Sequence, residues 1–301
     1  MDNGILLIDK PAGISSAGVV SRIKRRFGFK KVGHTGTLDP FATGLMVITI
    51  GKATRLSRFF LDADKEYEAR LTLGVLTDTL DLKGEVVTEE TPERIEELKQ
   101  AMGTPELNGA LAAFTGDLMQ VPPVYSALKQ NGVPLYKLAR QGKAVEKPPR
   151  PVTVHKNTLK EFAFPHVDFT VTCSKGTYIR SLARDMAESL GTVGHLTALR
   201  RTETTGFRVE EALTLEAAED TEKADLPLIS MADALSHLPS FAITEAELGL
   251  VKVGGPLAWR SAGEDAGEAF CRVLGLDGSL VAMVESAKNG QEHKYCCVFA
   301  S

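Results

Sequence analysis

Short apolar runs, some alternating and some continuous, are broken along this chain by glycine and proline, a pattern that predicts strands more often than helices. Ile5-Leu-Leu-Ile-Asp9 reads as a first strand, stopped by Lys10-Pro11-Ala12-Gly13. Ser15 or Ser16 can cap a helix that runs to Phe27-Gly28 and displays Arg22, Lys24, Arg25 and Arg26. A second strand at 45–50 follows a loop between Gly33 and Gly44. Residues 67–73 and 167–173 alternate and are rich in strand formers, which puts Tyr67, Ala69 and Leu71 on one face. Thr91-Pro92-Glu93 opens a helix over 92–102 that Gly103 stops, and residues 177–190, closed by Gly191, read as another. The mixture predicts an α+β fold with a mixed, mostly antiparallel central sheet and flanking helices.

Two stretches depart from that pattern. Residues 121–151 hold six prolines and little apolar periodicity, the mark of a long excursion from the core, which compact domains usually keep for function. Near Leu238-Pro239-Ser240 a new unit begins, helical over 244–253, with short strands at 271–274, 280–284 and 295–299. The expected division is therefore 1–237 and 238–301, the second unit small and β-rich.

The net charge of −4 conceals a segregation. Residues 1–60 carry 10 Lys/Arg against 3 Asp/Glu, and residues 121–160 carry 8 against 1, whereas 61–120 and 209–301 are strongly acidic. If the two basic segments meet they form a phosphate-binding face; the alternative is two ordinary solvated surfaces. No apolar stretch approaches the roughly 20 residues that span a bilayer. The start, MDNGILLIDKPAG, has no basic stretch before its short apolar run. Cys173, Cys271, Cys296 and Cys297 form no CxxC pair. These features predict a cytoplasmic protein without a membrane segment.

Several chemistries have no sequence support, since GxGxxG, GxxxxGK[ST], HExxH and GxSxG are all missing and the six histidines lack metal-ligand spacing. The unusual stretch is Gly33-His-Thr-Gly-Thr-Leu-Asp-Pro-Phe-Ala-Thr-Gly44. Its glycines and proline describe a tight loop where backbone can approach a ligand. Asp39 in its middle is either an Asx turn or cap before Pro40, or an ionised carboxylate held against substrate as nucleophile or base.

That stretch resembles the signature of the pseudouridine synthases, in particular of the bacterial TruB family. The likeness continues through Gly4-Ile-Leu-Leu-Ile-Asp-Lys-Pro-Ala-Gly-Ile-Ser-Ser16, Asp64-Lys-Glu-Tyr67, Gly74-Val-Leu-Thr-Asp-Thr-Leu-Asp81, Gln120-Val-Pro-Pro-Val-Tyr-Ser-Ala-Leu-Lys129, Gly176-Thr-Tyr-Ile-Arg-Ser-Leu-Ala-Arg-Asp185 and Leu199-Arg-Arg201. Phe41 stands where leucine is more usual. The resemblance implies a catalytic Asp39, a Tyr67 that stacks on the target base, and an Arg180 that pairs with the aspartate. It places Tyr178, Asp81, His34 and Leu199 around the uridine, with His34 read here as a loop residue and Leu199 as a helical one. It also makes 121–151 an RNA-gripping thumb loop whose Lys129, Lys137, Arg140 and Lys143 meet the RNA backbone. The last 60 residues resemble a PUA domain, a small RNA-binding barrel. The implied reaction detaches uracil from ribose, rotates it and rejoins it through carbon 5, with no cofactor or metal. The implied substrate is the T-loop uridine of tRNA, position 55, extruded from the stack before reaction. The implied enzyme is a monomer that works without a guide RNA. The rivals are a guide-dependent relative and an RNA-binding helper with vestigial catalytic residues.

Overall fold

Both faces of the first strand are buried, which is why its sequence is continuously apolar instead of alternating. β1 (Gly4–Lys10) sends Leu6 and Ile8 into one core, and Ile5 and Leu7 into another. The computed structural model describes residues 3–126, 128–257, 270–286 and 293–300. After β1 come α1 (Ser16–Phe27), β2 (Val32–His34), β3 (Thr43–Ile50), α2 (Ser57–Leu61) and β4 (Lys65–Leu73). A small hairpin, β5 (Val75–Thr77) with β6 (Val86–Glu89), and helices α3 (Pro92–Ala101) and α4 (Thr104–Ala113) lead to β7 (Gly116–Gln120). The proline-rich excursion holds β8 (Lys129–Gln130), β9 (Val133–Pro134) and α5 (Leu135–Ala139). It returns as β10 (Arg150–Ala163), β11 (His166–Cys173), α6 (Ile179–Ser189), β12 (Gly194–Thr204), β13 (Phe207–Arg208), β14 (Leu213–Thr214) and α7 (Leu215–Asp220). Beyond these lie β15 (Ser240–Ala242), α8 (Glu245–Lys252), β16 (Phe270–Leu274), β17 (Leu280–Ser286) and β18 (His293–Val298). Residues 258–269 and 287–292 of the expected second unit lie outside the described residues.

The central sheet has ten strands in the order β14-β1-β3-β12-β4-β11-β10-β7, with β2 on β3 and β13 on β12. Only β1–β14 and β3–β12 pair in parallel, so the sheet is mixed and mostly antiparallel, as expected. Its main core is covered by apolar stripes of α1 (Val19, Ile23, Phe27), α4 (Leu107, Leu111) and α6 (Leu182, Met186), packed on Ile48, Leu71, Phe169 and their neighbours. Each such side chain, fully buried, stabilises the fold by about 1.5–3 kcal/mol. A second core joins the other face of β1 and β3 to Phe60, Leu235, Met283, Cys297 and Phe299. The C-terminal strands form their own sheet, β15-β16-β17-β18, with α8 packed against it through Val251.

α1 has the expected ends. The Ser15 hydroxyl accepts from the Gly18 amide, and Gly28 closes the helix at φ +66°. Two strands and a helix differ from the reading of the sequence. Leu199, read as helical, lies on β12, where it faces Ala69 across the β4–β12 ladder. β12 bonds to β3 and β4 on its two edges, and that pairing overrides the helix-forming run Leu-Arg-Arg. His34, read as a loop residue, ends β2 opposite Ile48 of β3. α4, for which no helix was expected, follows directly on the Gly103 stop, because Gly103 donates its amide to Glu106 and starts a new helix.

Candidate active site

The loop that carries Asp39 is pinned from the turn that follows β1. Ser16, buried at 2 % exposure, both accepts from the Leu38 amide (2.8 Å) and donates to the Leu38 carbonyl (3.0 Å). The Gly13 amide donates to the Pro40 carbonyl at 2.7 Å. Lys10, fully buried, spends its ammonium on the carbonyls of Pro11, Ile14 and Pro40. The Ala42 amide bonds back to the Asp39 carbonyl and closes a turn. Asp39 does sit in a turn, and the same turn aims its carboxylate into a cleft of about 1170 Å³.

Arg180 meets it there from the first turn of α6. Its Nη2 donates to Asp39 Oδ1 at 3.2 Å. Its Nε lies 2.9 Å from Oδ2 as an ion pair, although that N–H is poorly aligned for a hydrogen bond. The rest of the guanidinium is fixed: Nη1 donates to the Thr79 carbonyl (2.6 Å) and Nη2 to the Tyr125 carbonyl (2.9 Å). Asp81 Oδ2 stands 3.6 Å from Nη1. Asp81 is itself held by the Thr79 hydroxyl and the Lys83 amide. Between them Leu80 is forced to φ +61°, a left-handed conformation that costs an L-residue about 1–2 kcal/mol. The Leu80 carbonyl there accepts the Leu196 amide, which ties this turn to β12. Strain of this kind concentrates where geometry serves function.

Burial pushes the Asp39 carboxyl above its ordinary value, and nearby Asp81 adds to the rise, while Arg180 and Lys10 oppose it. Burial likewise lowers the Lys10 ammonium to about 8; Asp39 works against that fall and Arg201 adds to it. The Tyr67 phenol is pushed up by desolvation. His34 is pulled down, first by burial and then by the charge of Arg201.

The cleft gathers His34, Asp39, Tyr67, Asp81, Tyr178, Arg180 and Leu199 along its lining. These seven residues, from five separate stretches of sequence, thus share one cavity. Tyr178 precedes α6 and carries the Arg150 guanidinium 4.9 Å above its ring centroid. Arg140 reaches the lining as well. Lys129, Lys137 and Lys143 are exposed on the excursion instead. A smaller concavity of about 390 Å³ lies between α8 and the C-terminal strands and is walled by Ile243, Leu248 and Phe299. Among the described residues no three His, Cys, Asp or Glu side chains converge to hold a metal, and no helix is long and apolar enough to cross a membrane.

Several cations of the basic first segment have partners within the protein. Arg22 and Arg26 pair with Glu219 and Glu222, Lys52 and Arg55 donate to carbonyls of Phe299 and Val298, and Arg58 lies over Phe59 and Phe270. Lys24, Arg25, Lys30 and Lys31 stay exposed. Sequence reasoning gave no role to Lys10 or Arg201, since nothing local marks a basic residue as buried.

Residues 24–179 match the TruB family pseudouridylate synthase (N terminal domain), and residues 180–230 match the tRNA pseudouridylate synthase B C-terminal domain. The tRNA pseudouridine synthase B of Syntrophotalea carbinolica is 46 % identical over 243 residues, 80 % of this chain and 77 % of that one. The protein of the same name from Cupriavidus metallidurans is 43 % identical over 290 residues, 93 % and 90 % of the two chains. In a crystal structure of a Cbf5-Nop10-Gar1 complex, one chain superposes with a TM-score of 0.74 at 26 % identity, over 99 % of this chain and 86 % of its own length. On these matches, and with the signature loop lining the cleft that holds Asp39 and Arg180, the chain belongs to the TruB family of pseudouridylate synthases.

Proposed function

We propose that this protein isomerises uridine to pseudouridine in tRNA, at the T-loop position 55, acting as a monomer and without a guide RNA. The observation that carries this reading is the Asp39–Arg180 pair at the floor of a cleft wide enough for an extruded nucleotide. Relatives over 40 % identical across most of the chain are named tRNA pseudouridine synthase B. Residues 1–237 hold this site, and 238–301 serve as an accessory RNA-binding unit.

The reaction exchanges the bond from N1 of uracil to ribose for one from carbon 5, so it needs no external oxidant or reductant. Asp39 acts as the ionised carboxylate on the sugar side, as nucleophile or as base at the 2′ carbon. Arg180 holds it ionised and oriented by a two-nitrogen grip. Tyr67 stacks on the flipped base, Tyr178 and Asp81 frame it, His34 stacks on a base or bonds to phosphate, and Leu199 packs against the extruded nucleotide. Flipping costs a few kcal/mol, which phosphate contacts from Lys129, Lys137, Arg140 and Lys143 offset.

The test uses purified protein alone and a tRNA transcript tritiated at carbon 5 of uridine, beside a transcript with cytidine at position 55. Tritium released from the first and withheld by the second supports the reading. Release only after a guide RNA or partner protein is added would favour the guide-dependent rival. Light scattering that gives a dimer mass would overturn the monomer.

A further inference from the structure

Arg200 and Arg201 are neighbours with opposite fates. Arg200 is 38 % exposed and pairs with Asp9 at 2.7 Å. Arg201 is 2 % exposed, and among the described residues it has no carboxylate within ion-pair distance. Its guanidinium meets the Tyr67 phenol, and two of its nitrogens donate to backbone carbonyls, Nε to Leu45 at 2.7 Å and Nη2 to Gly36 at 3.3 Å. Those two residues lie on either side of Asp39, one before it in the loop and one after it in β3.

The signature loop is shaped around this arginine. Gly44, at φ +102°, lies so close to the Arg201 backbone that a Cβ there would come within 2.2 Å of the Arg201 carbonyl oxygen. A Cβ on Gly36 would stand 3.1 Å from Nη1. In the ladder Arg201 pairs with Gly44 on one side and with Tyr67 on the other. Arg201 is among the residues that line the cleft.

We infer that Arg201 is a positioning residue: it fixes the two ends of the Asp39 loop against the strand that carries Tyr67. This rests on the proposed isomerase reading. A buried cation without a counter-ion is costly to keep, and such departures from the rules of a well-packed core gather at functional sites. Two nitrogens of one planar fork hold both carbonyls in a fixed relation, a rigid geometry that the compact ammonium of lysine at the end of a flexible stem does not impose. The charge also acts on its surroundings. Four groups feel it: Lys10, beside Asp39; His34; Lys65; and Tyr67, which also faces Cys173 and Asp39.

The experiment measures tritium release from tRNA by the full chain against Arg201→Met, Arg201→Lys and Gly36→Ala, each across pH 6–9. For Arg201→Met a loss of about 100-fold in kcat is expected, with KM for tRNA within about threefold, because the loop shifts while the RNA grip does not. Lys10 clamps Pro40 beside Asp39 only while it is an ammonium, so its loss of a proton should bring an alkaline fall in rate, and removing one of the two causes that hold Lys10 down at about 8 should move that limb to higher pH. Arg201→Lys keeps the limb in place and recovers part of kcat. Unchanged kcat in Arg201→Met overturns the inference. So does a joint loss of kcat and tRNA affinity with the limb unmoved, which marks structural support only. If Arg201→Met does not fold, Gly36→Ala decides, since it crowds the guanidinium without removing it. A fall of about tenfold in kcat at constant KM is expected, and no fall overturns the inference. If the native chain itself releases no tritium, the isomerase reading fails and not this one.

Discussion

Replacing Arg180 by methionine removes the cation from beside Asp39 while keeping most of the side-chain volume. Opposite charges about 4 Å apart attract by about 4 kcal/mol at an effective dielectric of about 20. One third of the Asp39 side chain remains open to solvent. Screening therefore reduces that to about 2–3 kcal/mol, which is about two pH units at about 1.36 kcal/mol per unit. Burial and Asp81 already push Asp39 above its ordinary 3.8, and Arg180 is the main restraint. The acid limb of kcat should thus move up by about two pH units in Arg180→Met, read by tritium release between pH 5 and 9. Stability carries the same sign. A carboxyl with a raised folded-state pKa contributes stability that is fully present below 3.8 and lost as pH rises through its folded value. The variant should lose more melting temperature than the native chain between pH 4 and 7. A uniform fall in rate with the limb unmoved would refute this role for Arg180.

Ser16→Ala leaves the Leu38 amide and carbonyl buried without their partner. A loss of about 1–3 kcal/mol is expected in urea unfolding, with slowed tritium release. Gly44→Ala combines a left-handed φ with a backbone clash, so a loss of about 3 kcal/mol or more, or no folded protein, is expected by circular dichroism. Lys137→Glu with Lys143→Glu should weaken tRNA binding and flatten its log–log salt dependence by about 0.9 per lost phosphate contact. An unchanged slope would remove these exposed lysines from the account.

The strands with clean alternation or a continuous apolar run were legible, and so was α1, because Ser15 and Gly28 mark its ends in any context. β10 and β12 were not. β10 shifts register between Val154 and Lys156 and again between Leu159 and Glu161. β12 does so between Leu196 and Ala198 and between Arg201 and Glu203. Each bulge resets the period of two that betrays a strand. At the site, the seven residues from His34 to Leu199 named from the resemblance all reach one cleft, since β2, β4, β12, the Asp39 loop, the Asp81 turn and the start of α6 border it together. What the sequence hid was the support. Arg200 and Arg201 are the same residue type in adjacent positions, and only the assembled sheet decides which faces solvent. Lys10 looked like the end of a strand before proline, whereas its ammonium is the clamp on Pro40. The charge count could not show which cations also have partners within the protein: Arg22, Arg26, Arg55 and Arg58 engage Glu219, Glu222, a carbonyl and ring faces while remaining at the surface.

The central claim, that Asp39 performs the chemistry, is tested most directly by single-turnover tritium release from 5-tritiated tRNA, with Asp39→Asn against the native chain. The substitution keeps size and polarity and removes the charge. The account predicts release by the native chain alone, a rate reduced by about 10⁴-fold or more in the variant, and tRNA affinity within about threefold. Release by Asp39→Asn at a rate near that of the native chain would contradict it.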